Sequence, residues 1–202
     1  MIFPPLGAPA GPKAQAARLG LRINEHVSAP LVFTGIFSAV ECDRISHLGG
    51  QRRGREGRMM YGRQNIRKCK IAWIGMQAES EWLYAKIWQT FRAVNQWFQF
   101  DLLGLVDEIQ FTTYAGGDRI DWHLDSGGGQ TSTRKISMSV QLNDAASYEG
   151  GDLEFSGCSI SDPMRGRGTI IVFPAVLAHR VTEVTSGVRT SLVAWAHGPV
   201  FK

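Results

Sequence analysis

After Phe100 the sequence changes to a period of two, in which apolar and polar side chains alternate along short segments. This period is the property that most limits the fold, because successive side chains of a β-strand point to opposite faces of a sheet. The segments with strand character are 108–114, 120–125, 135–142, 169–173 and 188–195. The run TIIVF at 169–173 is wholly apolar, which is typical of a strand buried on both faces. Glycine-rich turns separate the segments, so the pattern predicts a succession of short, connected strands.

Two helices are predicted before these strands. At residues 38–48, the spacing of Ser38 and Glu41 is that of a capping box, in which each side chain binds a free backbone amide of the other residue. Residues 79–99 form a second helix with one apolar stripe, which consists of Leu83, Ile87, Phe91, Val94 and Phe98. Helices followed by a run of strands indicate an α+β, mainly β domain, in which a β-sandwich or jelly roll is backed by the helices.

Length and composition favour one domain. The chain has 202 residues, of which 44% are apolar, so it can build a sizeable core. Residues 1–20 are rich in Pro, Ala and Gly and predict a loosely ordered leader, and residues 21–202 predict the domain itself. Three widely spaced cysteines argue against a disulfide framework or a cysteine zinc site, and no long apolar run predicts a membrane span. We therefore predict a cytoplasmic protein with no membrane partner.

The segment 51–70 is strongly basic and rich in glycine. It carries eight arginine and lysine residues against one acid, Glu56. We predict a mobile loop here, which is either a solvated surface segment, a flap over an active site or a patch for an anionic partner. The net charge of the whole chain, +4, is too small to indicate a nucleic-acid partner by itself.

The stretch DWHLD at 121–125 contains a candidate metal site. On an extended strand, His123 and Asp125 project to the same side and can offer an imidazole nitrogen and a carboxylate oxygen to one ion. His179 is the best third ligand, because it follows the buried strand at 169–173 and a turn. Two histidines and one carboxylate form the ligand set that suits Fe(II) in oxygenases. The spacing alone is also compatible with a core histidine and with a carboxylate that caps a turn. The histidines that fit less well are His26, His47 and His197.

An arginine on the last predicted strand adds to this pattern. One face of that strand consists of Arg189, Ser191, Val193 and Trp195. If this face is turned inward, the guanidinium needs an anionic partner. A dicarboxylate cosubstrate provides one, since a guanidinium and a carboxylate form two parallel hydrogen bonds. A 2-oxo dicarboxylic acid is suited to chelating the metal at one end and binding Arg189 at the other.

Four pieces of sequence in a fixed order resemble a known family. They are YAGGDRIDWHLD, RKISMSVQLND, YEGGDLEF and IIVFPAVLAHRVTEVTSGVRTSLVAW. In this order they resemble the iron- and 2-oxoglutarate-dependent dioxygenases of the prolyl-4-hydroxylase-like branch, over about residues 105–196. The resemblance implies a double-stranded β-helix (jelly roll) with N-terminal helices packed on one sheet.

The resemblance also implies the roles of six residues. His123, Asp125 and His179 are expected to bind Fe(II). Arg189, Tyr114 and Gln141 are expected to contact the cosubstrate 2-oxoglutarate, although relatives often carry tyrosine where this chain has Gln141. Ascorbate is an additional cofactor candidate. Collagen-type prolyl hydroxylases often have lysine at the position of Arg189, so the arginine points to broader bacterial-type relatives and puts a prolyl substrate in doubt.

The activity that the resemblance implies is hydroxylation of a C–H bond with O₂ and 2-oxoglutarate, releasing succinate and CO₂. The expected substrate is an amino acid, a peptidyl residue or a small metabolite. Two alternatives stay open: oxidative demethylation of nucleic acid, and a non-catalytic jelly-roll binding module. The demethylase branch typically carries a further arginine after the clamp, and Ala194, Trp195 and Ala196 supply none, so a nucleic-acid partner is not expected. The sequence does not predict the oligomeric state.

Overall fold

The computed structural model describes residues 13, 16, 24, 26–57, 59–61, 64–158 and 162–200. Apart from Lys13 and Ala16, the leader predicted for residues 1–20 lies outside these residues. Within them the chain is mainly β, with two α-helices, α1 (Ala39–Gly50) and α2 (Glu81–Phe98). None of the described helices is long and apolar enough to cross a membrane.

The described residues form fifteen strands, most of them short. In chain order they are β1 (Leu31–Phe33), β2 (Arg55–Glu56), β3 (Met60–Tyr61), β4 (Gln64–Asn65), β5 (Arg67–Lys68), β6 (Lys70–Ile74), β7 (Ile109–Tyr114), β8 (Arg119–His123), β9 (Arg134–Gln141), β10 (Tyr148–Gly150), β11 (Leu153–Phe155), β12 (Ile170–Pro174), β13 (His179–Val181), β14 (Val184–Gly187) and β15 (Arg189–His197). Three single turns of 3-10 helix connect strands, at Gly129–Thr133, Ala145–Ser147 and Asp162–Arg165. The strands predicted at 169–173 and 188–195 correspond to β12 and β15.

Helix α1 begins at the predicted capping box. The Ser38 hydroxyl accepts a hydrogen bond from the Glu41 amide at 3.3 Å, and the Glu41 carboxylate accepts one from the Ser38 amide at 2.7 Å. The helix continues to Gly50, two residues beyond the predicted end. Gly49 lies directly on the ring of Phe111, where a Cβ would come within 2.3 Å of Cγ. The absence of a side chain at Gly49 therefore lets the helix approach the sheet closely.

Helix α2 buries the stripe predicted from its sequence. The buried positions are Leu83, Tyr84, Ile87, Phe91, Val94 and Phe98. They belong to one apolar cluster with α1 and with the sheet side chains Phe111, Val140 and Leu192. Burial of this stripe against the sheet stabilises the helix far more than its intrinsic propensity does.

Two antiparallel sheets face each other across a second cluster. The large sheet has the order β1-β12-β9-β15-β7-β6-β2, and the small one has the order β11-β13-β8-β5. Side chains from both sheets meet in this cluster, among them Tyr114 and Phe173 from the large sheet and Ile120 and Val181 from the small one. The large sheet is thus covered by the helices on one face and by the small sheet on the other.

The alternation predicted for residues 120–125 is wrong at one point. His123 lies opposite His179 and Ile120 lies opposite Val181, so β8 uses three steps where β13 uses two. Such a β-bulge opposes two residues to one and re-aims the side chains that follow. As a result Ile120 and His123 face the same way. Trp122, which the simple alternation groups with Ile120, is 44% exposed.

The prediction of a mobile loop at 51–70 is also wrong, since the described residues of this segment form short strands. Strand β2 pairs with β6 at the end of the large sheet, and β5 pairs with β8 at the end of the small one. Charged side chains are common on such edge strands, because they prevent further strands from adding to the sheet. The arginines and lysines that suggest a solvated loop are therefore compatible with paired strands at the edges of both sheets.

Candidate metal site and adjoining cavity

Three of the predicted site residues meet between the two sheets. His123 ends β8, Asp125 follows two residues later, and His179 begins the neighbouring strand β13. The Nε2 atom of His179 lies 3.5 Å from Asp125 Oδ2, and that of His123 lies 3.8 Å from Asp125 Oδ1. One ligand atom from each residue fits within 4.8 Å of the other two. Side chains from two strands and the turn after β8 thus converge on a single point.

Backbone carbonyls fix the orientation of both histidine rings. His123 Nδ1 lies 2.8 Å from the Asp121 carbonyl, and His179 Nδ1 lies 2.9 Å from the Leu177 carbonyl. A carbonyl oxygen only accepts hydrogen bonds, so each Nδ1 carries the proton and each Nε2 keeps a free lone pair. This is the arrangement that metal-binding histidines adopt. With the carboxylate of Asp125, the donor set fits Fe(II).

The charges of these groups also suit metal binding. Burial, followed by the neighbouring His179, lowers the pKa of His123 to about 4, so its ring is neutral near pH 7. Burial alone would raise the pKa of Asp125, but the two histidines and a hydrogen bond from Ser137 outweigh it, and this pKa lies below its usual range. The Ser137 hydroxyl donates to Asp125 Oδ2 at 2.7 Å. The carboxylate is therefore ionised and held in place.

Arg189 lies in the same interior, on the first position of β15. It is 1% exposed and lies opposite Tyr114 of β7, with its guanidinium carbon 5.3 Å from the centre of the tyrosine ring. Its guanidinium donates to Gln141 Oε1 at 3.1 Å and to Ser191 Oγ at 3.4 Å, while Nε has no hydrogen-bond partner. None of the ion pairs among the described residues involves Arg189, and the nearby carboxylate of Asp125 pairs with the two histidines instead. The charge is buried and uncompensated by the described part of the chain.

The other two predicted cosubstrate contacts differ in position. Tyr114 is buried and lines the cavity next to Arg189. Burial raises the pKa of Tyr114 to about 12, so its phenol keeps the proton and can donate a hydrogen bond. Gln141 is buried against Arg189 and is not among the described side chains that line the cavity. Gln141 therefore affects the cavity indirectly, by orienting the Arg189 guanidinium.

One cavity joins the metal-binding cluster to Arg189. The empty space between its walls, including the open mouth, is about 420 Å³. The apolar part of the wall consists of Ile120, Leu153, Phe173, Val181, Val193 and Trp195. The polar part adds Arg67, Gln110, Ser139 and Ser191 to the predicted residues.

A cluster of charged residues behind the wall was not predicted from the sequence. The guanidinium of Arg134 lies 3.7 Å from the centre of the Trp195 ring and donates from Nε to Asp107 at 2.8 Å. It also donates to the backbone carbonyl of Asp125 at 3.4 Å, and His197 lies 3.2 Å from the same Asp107 carboxylate. Arg134 thus supports both the pocket wall and the main chain of a predicted metal ligand.

Comparison with known proteins agrees with this geometry. Residues 109–197 match the family model described as the 2OG-Fe(II) oxygenase superfamily. A PKHD-type hydroxylase from Synechococcus sp. (strain CC9311) is 40% identical over 88 residues, which is 43% of this chain and 39% of that protein. Another PKHD-type hydroxylase, from Shewanella oneidensis, is 32% identical over 95 residues, covering 45% and 42% of the two chains. The chain spans about two fifths of the length of these curated relatives.

Solved structures share the fold at low identity. A Pseudomonas putida prolyl-4-hydroxylase matches with a TM-score of 0.66 at 22% identity, over 87% of this chain and 94% of that one. A Trichoplax adhaerens prolyl hydroxylase, solved with a hypoxia inducible factor peptide fragment, matches with a TM-score of 0.67 at 16% identity, over 94% of both chains. The family-model match and the PKHD-type hydroxylases support the resemblance that the sequence motifs indicate, and the solved structures show a shared fold, mainly β with two helices.

Proposed function

We propose, on the premise that residues 109–197 belong to the 2OG-Fe(II) oxygenase superfamily, that this chain is an Fe(II)- and 2-oxoglutarate-dependent dioxygenase. Its reaction is hydroxylation of a C–H bond in an amino acid, a peptidyl residue or a small metabolite. O₂ and 2-oxoglutarate are consumed, and succinate and CO₂ are released. One oxygen atom of O₂ enters succinate and the other enters the new hydroxyl group, so the reaction balances without a further reductant.

The observation that carries this proposal is the pairing of two features in one cavity. A cluster of two histidines and one carboxylate lies at one part of the wall, and the uncompensated guanidinium of Arg189 lies at another. A buried charge without a partner is costly, and the site becomes favourable only when an anion enters. A dicarboxylate that also chelates a metal satisfies both features at once.

Each residue has a defined task in this proposal. His123, Asp125 and His179 hold the metal through two Nε2 atoms and a carboxylate oxygen. Arg189 binds the distal carboxylate of 2-oxoglutarate, and the protonated phenol of Tyr114 is placed to donate to the same group. When bound, Fe(II) supplies the redox chemistry that splits O₂ and oxidises the C–H bond, while the protein positions the reactants.

The shape of the cavity limits what can react. Its apolar walls, among them Ile120 and Phe173, exclude water from the space beside the metal-binding cluster. The cavity is partly open to solvent, so the reacting group of the substrate enters through this opening.

The fold and the domain boundaries form part of the proposal. We assign the two facing sheets to a double-stranded β-helix (jelly roll), with α1 and α2 packed on the large sheet, and residues 21–202 to a single domain. Support comes from the two apolar clusters, one between the helices and the large sheet and one between the sheets.

The test is a succinate-release assay with Fe(II), O₂ and 2-oxoglutarate. It is run alone and with panels of amino acids, peptides and oligonucleotides. His179→Ala and Asp125→Ala are expected to abolish turnover of 2-oxoglutarate, and Arg189→Ala is expected mainly to raise the KM for it. His47→Ala is the matched control, because His47 is exposed on α1 and binds Gln51.

Three outcomes decide between the alternatives. Full turnover in His179→Ala contradicts the metal assignment. Stimulation by oligonucleotides alone would favour oxidative demethylation. Absence of any turnover in protein that binds Fe(II) would favour a non-catalytic binding module.

A further inference from the structure

A second guanidinium lines the cavity, and the proposed reaction with 2-oxoglutarate does not use it. Arg67 lies on β5, directly opposite Ile120 of β8. Side chains of directly opposed residues lie on the same face of a sheet. Both side chains line the cavity that contains the metal-binding cluster. Arg67 therefore lies on the edge strand of the small sheet and forms part of the cavity wall.

The aliphatic part of the Arg67 side chain packs against Gly57, the residue that follows edge strand β2 of the large sheet. Gly57 is buried, and its amide donates to the Cys69 carbonyl at 2.7 Å. A Cβ at Gly57 would come within 2.8 Å of Arg67 Cδ. Because Gly57 has no side chain, the arginine stem can pack closely against the backbone. The position of Arg67 is thus set by both edge strands of the basic segment.

The charge of Arg67 lacks the partner that nearby cations have. Arg134 pairs with Asp107 at 2.8 Å, Lys68 lies 3.9 Å from Asp118, and Arg119 contacts two acids on the outer surface. No described carboxylate lies within ion-pair distance of Arg67, and its buried Nε has no hydrogen-bond partner. Arg67 and Arg189 both line the cavity, and the buried Nε of each lacks a hydrogen-bond partner among the described residues.

A count of charges shows what the cavity still lacks. A ferrous ion brings two positive charges and the two arginines bring one each, whereas Asp125 brings one negative charge. The dianion 2-oxoglutarate leaves a surplus of one positive charge. A single carboxylate on the substrate cancels this surplus, whereas a phosphate monoester, with about −1.5 to −2 charges, exceeds it.

We infer that Arg67 binds a carboxylate of the substrate and selects carboxylate-bearing substrates over their neutral analogues. This inference rests on the proposed dioxygenase function and narrows it to one chemical class of substrate. A guanidinium in the cavity wall holds the carboxylate through parallel hydrogen bonds and directs the rest of the substrate toward the metal. Arg67 is therefore a specificity-determining residue, and the edge-strand segment is the part of the chain that presents it.

The experiment compares acids with amides that differ only in charge. The probes are N-acetyl amino acids and dipeptides with a free C-terminal carboxylate, each paired with its C-terminal amide. Succinate release is measured above the level without a probe. Binding of each pair is measured separately by calorimetry on protein loaded with Mn(II) and 2-oxoglutarate, which does not turn over.

The variants separate the charge of Arg67 from its packing. In the wild type, the best acid is expected to act and bind about 10- to 100-fold better than its amide, the range of a hydrogen-bonded charged pair. Arg67→Gln is expected to remove this preference, and Arg67→Lys to keep part of it. Arg55→Gln is the matched control, because Arg55 is an exposed arginine of the same segment on β2, and it is expected to keep the full preference.

Three results would overturn the inference. The first is that no acid binds or acts better than its amide in the wild type. The second is that Arg67→Gln keeps the preference for the acid. The third is that Arg67→Gln raises the KM for 2-oxoglutarate instead of that for the acid. Failure of the proposed function has a different signature, namely wild-type protein that binds Fe(II) and does not consume 2-oxoglutarate.

Discussion

The two faces of the large sheet differ in chemistry although the same strands build both. On the helix side lie Phe111, Val140 and Leu192, all apolar and buried. On the cavity side lie Tyr114, Gln141, Arg189 and Ser191, all polar and equally buried. Leu192 is 0% exposed and Ser191 is 2% exposed, although they are consecutive residues of β15. Alternation along one strand thus separates the residues that stabilise the fold from those that form the site.

The difference has an energetic meaning. Burial of apolar surface contributes about 25 cal/mol per Å² to folding, whereas burial of a charge without a partner is unfavourable. The helix side therefore stabilises the chain by itself. On the cavity side, apolar residues such as Phe173 also stabilise the fold, but the uncompensated charge of Arg189 lowers stability until a ligand enters, which is typical of a functional site.

The largest expected effect comes from the helix side. Leu192→Ala is expected to lower the free energy of unfolding by about 2–5 kcal/mol, because it leaves a void in the core. Urea unfolding of metal-free protein measures this. Ser191→Ala, the neighbouring change on the cavity side, is expected to cost about 0.5–1.5 kcal/mol and to weaken binding of 2-oxoglutarate. Equal losses of stability in the two variants would contradict the division between faces.

Ligand binding should stabilise the cavity side selectively. With Mn(II) present and 2-oxoglutarate at 100 times its Kd, the free energy of unfolding is expected to rise by about 2.7 kcal/mol. Arg189→Met is expected to lose this gain, since methionine fills the space without binding a carboxylate. The ligand-free variant is expected to be at least as stable as the wild type, because an uncompensated buried charge is removed. A gain with 2-oxoglutarate that survives in Arg189→Met would show that the anion binds elsewhere.

The contact between α1 and the helix side offers a smaller test. Gly49→Ala is expected to lower stability by about 1–3 kcal/mol, since its Cβ would overlap the Phe111 ring. Gly50→Ala is the control, because nothing lies within 4 Å of a Cβ there. In that variant stability is expected to stay the same or to rise by up to about 1 kcal/mol. Thermal unfolding of the two variants measures this difference in stability. Equal stabilities would contradict the close contact between Gly49 and the Phe111 ring.

The smallest effect is expected in the small sheet, where regular alternation fails. Trp122→Ala is expected to cost only about 0.5–1 kcal/mol, the value of its cation–π contact with Arg180. An unbroken alternation would bury Trp122 with Ile120, and truncation would then cost about 3–5 kcal/mol. Chemical denaturation distinguishes these values. A loss of about 3–5 kcal/mol in the free energy of unfolding would show that Trp122 is buried, which would contradict the β-bulge in β8.

The regular part of the fold follows from the sequence. Strand β7 keeps a period of two throughout and β15 keeps it up to Ala196, so the inward positions of Tyr114 and Arg189 could be predicted. The two helices followed from a capping box and an apolar stripe. His123, Asp125 and His179 were recognisable as candidate ligands because a spacing of two residues places the first pair on one side.

Other features depend on contacts that no local pattern records. The β-bulge in β8 arises from its pairing with β13 and leaves no period of its own. The edge strands β2 and β5 are only two residues long. Their composition is typical of a loop, and segments this short have no recognisable period. The Arg134–Asp107 pair joins residues 27 positions apart, and such a distance in sequence gives no local signal.

We propose that His123, Asp125 and His179 hold Fe(II), and that the guanidinium of Arg189 holds 2-oxoglutarate in the same cavity. The decisive measurement is an anaerobic titration of Fe(II)-loaded protein with 2-oxoglutarate, monitored by the visible charge-transfer absorption of the chelate. We expect a saturable band in the wild type, no band in His179→Ala, and a much higher half-saturation concentration in Arg189→Met. A wild-type protein that binds Fe(II) and yet develops no band, or a band unchanged in His179→Ala, would contradict it.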